Sequence, residues 1–269
     1  MALVTVAQAQ DQGSAKVLAV KGSARYAIGG GTWEPLKKGT IIKPGTVIQT
    51  GVERGSYVDL VISGSEDMPT PAVFGGGTPV VGARSGVGAG SYQPSAEQNV
   101  VRLYENTLLG VDKLTSTQTG AELVSDTQLD LKSGKIFGSV KKMSAASKYE
   151  VKLPNGVAGI RGTTFELSST GVVSVLEGQV VLAVVGKDGV VRTKVISAGQ
   201  TYDPGVDILS ALSQADIIRM ERLADGIRVT VNDLGAPIQV TPDTTVQFVS
   251  PTGPSGSPGG EGSGTTLRN

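Results

Sequence analysis

The side chains that could carry covalent or metal chemistry are few here, and the missing types narrow the field most. The 269 residues contain neither histidine nor cysteine. Imidazole relays, thiolate nucleophiles, disulfides and the usual zinc, haem and iron–sulfur ligands therefore have no side chains to draw on. Carboxylates remain, and two suffice for glycoside hydrolysis. None of the 24 acidic residues stands in a recognisable catalytic constellation, so the expectation is no enzyme, no metal and no cofactor. The triplets Gly29-Gly30-Gly31 and Gly75-Gly76-Gly77 lead neither into Lys-Ser/Thr nor into a helix start, and so read as loops rather than phosphate cradles.

One constellation remains. Gly156, Gly159 and Gly162 recur every three residues around Ile160 and Arg161, with Thr163, Thr164 and Phe165 following. That spacing opposes a helix and suits close backbone approach or positive φ. Arg161 reads either as a ligand contact or as a structural tie to Glu166 or Glu177. The tie is preferred, because a partly buried guanidinium needs a partner. Thr163 and Thr164 are strand formers, and Phe165 is expected in the core.

The elements that position these residues read as strands. Glycine, at 38 of 269, is about twice its ordinary share, and aromatics are only 4%. Runs of about five residues with alternating or β-branched character, such as 16–20, 24–28, 46–50 and 57–62, are separated by Gly or Pro turns. Further strands are expected at 100–104, 108–114, 121–125, 127–131, 135–141 and 149–153. Leu129, Leu131, Ile136 and Val140 are expected on one core face. Pro154-Asn155-Gly156 supplies a turn, and Glu177-Gly178 is expected to turn a hairpin between 172–176 and 179–185. A weakly helical stretch begins at Asp207. Ser213 to Asp216 resembles a capping box ahead of an Ile217, Met220, Leu223, Ala224 stripe, which is expected to pack on its own domain and stop at Gly226. Strands are expected again at 227–231, 238–240 and 244–249.

Charge balances at 24 basic and 24 acidic residues, so nothing steers nucleic acid toward the chain. Ala7-Gln8-Ala9 behind apolar Ala2 to Val6 has the small-x-small form of a signal-peptidase site. Residues 1–13 read as a signal-peptide remnant or as an N-terminal strand or arm. The longest apolar run, Val180 to Val185, is far short of the roughly 20 residues a helical membrane span requires.

The run from Tyr149 to Leu167 resembles the signature of the FecR domain: an extended strand, a Pro-centred turn, then Ile160-Arg161-Gly162-Thr163-Thr164-Phe165. Val175-Leu176-Glu177-Gly178-Gln179-Val180 resembles the family's V-x-E-G-x-V element, and Ala198-Gly199-Gln200 its closing A-G-Q. Trp33, Leu36, Gly39 and Thr50 resemble the opening, while Asn106-Thr107-Leu108 and Leu129 to Gly134 resemble the central strands, so the resemblance spans Ser14 to Pro204. It implies kinship with periplasmic sensor halves of anti-sigma regulators, and most closely with exported, free-standing FecR-like proteins.

The expected fold is all-β, antiparallel hairpins stacked into a β-sandwich or roll with one short C-terminal helix. Its parts are the N-terminal segment at 1–13, a FecR-like β domain at 14–204 with a Gly/Pro-rich insertion at 63–99, a helix plus strands at 205–249, and a disordered Gly/Pro/Ser tail at 250–269. The expected function is a non-enzymatic, protein-binding or signalling module outside the cytoplasm, in the periplasm, at the cell surface or secreted. The alternative is a self-assembling structural subunit, so the partner is another protein or copies of the chain itself. The motif residues, structural or interacting, are Gly159, Ile160, Arg161, Gly162, Thr163, Phe165, Glu177 and Gly178.

Overall fold

The computed structural model describes residues 11–63, 99–119, 122–186 and 188–227. The residues before 11, nearly all of the 63–99 insertion, the strands expected after Ile227 and the 250–269 tail lie outside them.

Short strands broken by Gly and Pro turns open the chain: β1 (Asp11–Gln12), β2 (Ser14–Lys21), β3 (Ala24–Ile28), β4 (Glu34–Pro35), β5 (Ile41–Ile42), β6 (Thr46–Thr50) and β7 (Tyr57–Ser63). After the insertion come β8 (Asn99–Leu103), β9 (Leu108–Thr119), β10 (Glu122–Ser133), β11 (Lys135–Ser139) and β12 (Lys148–Leu153). The two strands expected between 121 and 131 are thus one. The last strands are β13 (Gly156–Ser168), β14 (Val173–Val185), β15 (Val191–Ser197), β16 (Gln200–Asp203) and β17 (Ile208–Ala211), followed by helix α1 (Gln214–Gly226). Strand β17 stands where a helical stretch from Asp207 was expected. There Ile208–Ala211 finds backbone partners in β16, which outweigh the weak local preference.

The sheet closes on itself. Pairings run from β2 through β7, β8, β11, β13, β12 and β10 to β9. Strand β9 then takes up β1, which continues through Gly13 into β2. The fold is therefore a closed roll rather than two separate stacked sheets. Every pairing is antiparallel except β10–β12, where Asp126–Asp130 and Lys148–Lys152 run in parallel. That exception arises because β11 and the 140–147 connection intervene, returning the chain beside β10 in β10's own direction.

Alternation along the strands divides the apolar residues between two layers. Leu60, Val101, Ile136 and Phe165 point inward into a large core with Leu103, Leu129, Leu131, Val140, Tyr149 and Val151. Their neighbours Val61, Val100 and Phe137 point outward and form a second cluster with Leu212, Met220 and Ile227, padded by Ile217, Leu223 and Ala224. Helix α1 therefore packs on the outer face of the roll. It begins at Ser213, whose hydroxyl accepts from the Asp216 amide at 3.1 Å, as the capping pattern predicts.

Strands β13 and β14 have 13 residues each, long for strands, and neither is straight. The pairing Arg161, Gln179, Ser197 across β13, β14 and β15 gives way a few residues on to Phe165, Val175, Gln200 across β13, β14 and β16. Between these rows β13 and β14 each carry a glycine at positive φ, Gly162 at 59° and Gly178 at 82°, and the turn from β15 to β16 carries Gly199 at 75°. Glu177-Gly178 is therefore a bulge inside one strand and not the turn of a hairpin. Across this glycine row the strands fold back. A Cβ on Gly171, just before β14, would lie 3.6 Å from Cγ1 of Val184 near its far end, whereas a straight strand would separate Val173 and Val184 by about 36 Å. Lys194 of β15 likewise reaches Asp207, beyond β16, at 3.2 Å.

Replacing Gly178 tests this row. A Cβ there would stand 2.3 Å from the Gly162 carbonyl oxygen, while one on Gly189, also at positive φ (76°), would meet nothing. Both Ala variants bear the cost of a left-handed residue, of order 1 kcal/mol. Gly178→Ala should lose a further 1–3 kcal/mol or so from the backbone clash. Parallel denaturant titrations of the two variants check this, and equal losses would contradict the close packing at the bulge.

Candidate interaction surface

The motif residues come together around the glycine row, and most of them serve it. Ile160 and Phe165 are buried in the inner core. The Phe165 ring covers Gly138 of β11, where an added Cβ would stand 2.5 Å from the ring. Thr163 is buried, and its hydroxyl accepts from the Gln179 amide at 3.1 Å while lying 2.8 Å from the Gln179 carbonyl and 3.0 Å from that of Arg161. One side chain thus satisfies backbone groups that the bulge removes from the ladder. Gly159 pairs with Glu150 of β12 and Val181 of β14, keeping the sheet continuous there.

Arg161 and Glu177 depart from expectation. Both are exposed at the outer side of the bend, and neither has a hydrogen-bond or ion-pair partner among the described residues. Arg161 is therefore no structural tie. The buried acid, Glu166, belongs instead to a cation of the helix: Arg219 Nη1 lies 2.6 Å from Oε2, Lys135 Nζ 2.5 Å from Oε1, and the Tyr104 hydroxyl donates to Oε2 at 2.8 Å. Burial alone would raise the Glu166 pKa, but hydrogen bonds from Arg219, Lys135 and Tyr104 outweigh it and hold the carboxyl below its ordinary value. Burial, the nearby Glu166 charge and that hydrogen bond push the Tyr104 phenol up. This cluster fastens α1 to β8, β11 and β13. Sequence reading missed Arg219, since 53 residues separate it from Glu166 and no local pattern joins them.

The surface with most to offer a partner lies on the arm of the roll beyond the bulge. Val181 pairs with Val195 and Val185 with Val191 across β14 and β15, with Ala183 and Thr193 between them. The four valines are 42%, 46%, 65% and 47% exposed in the order Val181, Val185, Val191, Val195, while Val180, Leu182, Val184 and Ile196 on the opposite face are buried. No described strand pairs with the far edge of β15. An apolar row beside backbone groups that no described strand pairs makes this the candidate interaction surface. The signal was present in the sequence: Val180 to Val185 is apolar at every position, where a strand wet on one face would alternate.

Other candidates are weaker. A cavity of about 180 Å³, lined in part by Leu114, Thr115, Leu123, Lys142, Met143 and Ser144, is below the roughly 300 Å³ at which small-molecule sites begin. Among the described residues no group of acidic side chains is placed to hold a metal ion.

Comparison with known proteins gives one family. The model described as FecR protein matches residues 93–181, which include Gly162, Gly178 and the Ile160 to Phe165 signature. The match is narrower than the Ser14 to Pro204 span of the motif resemblance, leaving out the Trp33 opening and Ala198-Gly199-Gln200. No curated protein matches the chain. Two crystal structures of a candidate anti-sigma factor from Parabacteroides distasonis ATCC 8503 are 13% identical to it, with TM-scores of 0.32 and 0.31. The aligned part covers 45% of this chain and 55% of that protein, so the chain spans about half its length.

Because its folded-state pKa is depressed, Glu166 adds stability that is present above its unfolded value near 4.5 and lost as pH falls through the folded value. Glu166→Gln should cost about 2 kcal/mol at pH 7, the lower part of the range for bonds to a buried charge, because Lys135 and Arg219 both reach solvent. The gap between parent and variant should narrow below about pH 4.5. Denaturant unfolding of both from pH 7 to pH 3 measures it; a gap independent of pH would mean that Glu166 is not ionised in the fold.

Proposed function

From the FecR domain carried at residues 93–181, we propose that this chain is a non-enzymatic, protein-binding module of an exported signalling or regulatory system, and that it binds through the valine face of β14 and β15. The observation that carries the reading is that face: a row of exposed valines beside a strand edge with no described partner. Four exposed valines on an ordered sheet are costly in water, and contact with another protein would remove them from it. Rigidity supports the assignment. The opposite side of the same two strands is seated in the core through Val180, Leu182, Val184 and Ile196, so the face is held ready for a partner rather than ordered on binding.

Photo-crosslinking residues placed singly at Val181 and Val195, in the full chain and in its native cells, test this. Adducts of defined mass are expected from both positions and none from Val52, which is 76% exposed away from the face. Equal adducts from all three positions, or none from Val181 and Val195, would contradict the assignment.

Export is part of the proposal and is supported by the Ala7-Gln8-Ala9 pattern. The mature protein should be recovered outside the cytoplasm with Gln10 as its first residue. An uncleaved chain found only in the cytoplasm would contradict export.

A further inference from the structure

The valine face ends on a strand whose chemistry is its own mirror. Along β15, Val191-Arg192-Thr193-Lys194-Val195 reads apolar, cation, polar, cation, apolar in either direction, with Thr193 at the centre. The Gly186 amide donates to the Val190 carbonyl at 2.9 Å, which sets the alternation of the β14–β15 ladder. Arg192, Lys194 and Ile196 then direct their backbone groups toward β14. Val191, Thr193 and Val195 turn theirs outward, and the same three residues carry the exposed side chains. The open edge thus offers three pairs of N–H and C=O groups spaced as an antiparallel partner requires.

We infer that the partner of this edge is a second copy of the chain, joined β15 to β15 about a two-fold axis through Thr193. The inference rests on the reading of the β14–β15 face as an interaction surface. An antiparallel pairing centred on Thr193 places Val191 of each copy opposite Val195 of the other and joins the two valine faces into one four-stranded apolar surface from β14 and β15 of both copies. Cations on an edge strand ordinarily prevent such pairing, and here Arg192 would face Lys194 of the other copy. Each brings its own anion, however. Arg192 lies 2.9 Å and 2.5 Å from the two carboxylate oxygens of Asp188, and Lys194 is 3.2 Å from Asp207. Two copies therefore meet as neutralised pairs, and with 24 basic and 24 acidic residues in each chain no net charge opposes their approach.

Sedimentation equilibrium of the full chain over a range of micromolar concentrations tests the inference, alongside Thr193→Pro and Val195→Lys. Proline at 193 removes an N–H that points away from β14, so it blocks an added strand while leaving the β14–β15 ladder intact. Val195→Lys puts a charge opposite Val191 of the other copy and leaves the backbone unchanged. The parent is expected to sediment as a dimer and both variants as monomers with unaltered far-ultraviolet circular dichroism. Should the proline variant unfold, the lysine variant decides the matter. The chain has no cysteine, so Thr193→Cys supplies a background-free third reading: it should form a covalent dimer under mild oxidation, and Val52→Cys should not. A parent that stays monomeric throughout, or a dimer that persists in both variants, would overturn the inference. If the monomer still gives crosslinks from position 195, the adduct mass separates a different protein from a segment of the same chain. The interaction-surface reading would then stand without the second copy.

Discussion

Positive φ at Gly162 in β13, at Gly178 in β14 and at Gly199 in the turn between β15 and β16 is the constraint on which the rest of this structure depends. Side chains at such angles are strained, and at Gly178 there is no room for one in any case, since the Gly162 carbonyl and Thr163 occupy the place. The row lets two 13-residue strands bend without unpairing, because Thr163 takes up backbone groups of Arg161 and Gln179 at the break. Without the bend, Val180, Leu182 and Val184 would sit on a long flat ribbon and could not share a core with Val173, Val175 and Phe165.

Closing the roll settles what each outer face must do. On β7, β8 and β11 the outward residues Val61, Val100 and Phe137 are apolar, and α1 covers them with Met220 at the centre. At the rim of that contact Glu166 gathers Arg219, Lys135 and Tyr104, an ionic fastening that fixes where the helix lies more than how strongly it is held. Nearby, Asp59 and Arg102 pair across β7 and β8 at 2.6 Å, with the guanidinium 4.1 Å from the Tyr57 ring, so that stretch of outer surface is polar and self-contained. Beyond the bulge the outward side of β14 and β15 carries Val181, Val185, Val191 and Val195, with no described helix over them. The contrast between the covered face and the bare one is what directs attention to the latter.

Much of this was legible in the sequence, for identifiable reasons. Short strands with Gly and Pro breaks announced themselves through turn chemistry, the Pro154-Asn155 turn and the Ser213 cap fell where local patterns placed them, and Leu129, Leu131, Ile136 and Val140 do share one core. What local reading missed came from long-range geometry. Glu177-Gly178 has the composition of a hairpin turn and is a bulge, because the neighbouring strand bulges at the same level. Ile208 to Ala211 has no strong preference of its own and becomes a strand because β16 offers an edge. Arg161 looked like the partner of a buried acid, and the acid took Arg219 from a helix far along the chain.

The bend at the glycine row is most directly measured as a distance across it. Thr170 and Val185 stand on either side of β14's ends, both exposed, in a chain with no cysteine of its own. Nitroxides attached to cysteines introduced at these two positions can be read by double electron–electron resonance. Folded-back strands predict the short separation of neighbouring side chains. A straight β14 of 13 residues would hold the labels roughly 40 Å apart, and a distance near that value would contradict the account.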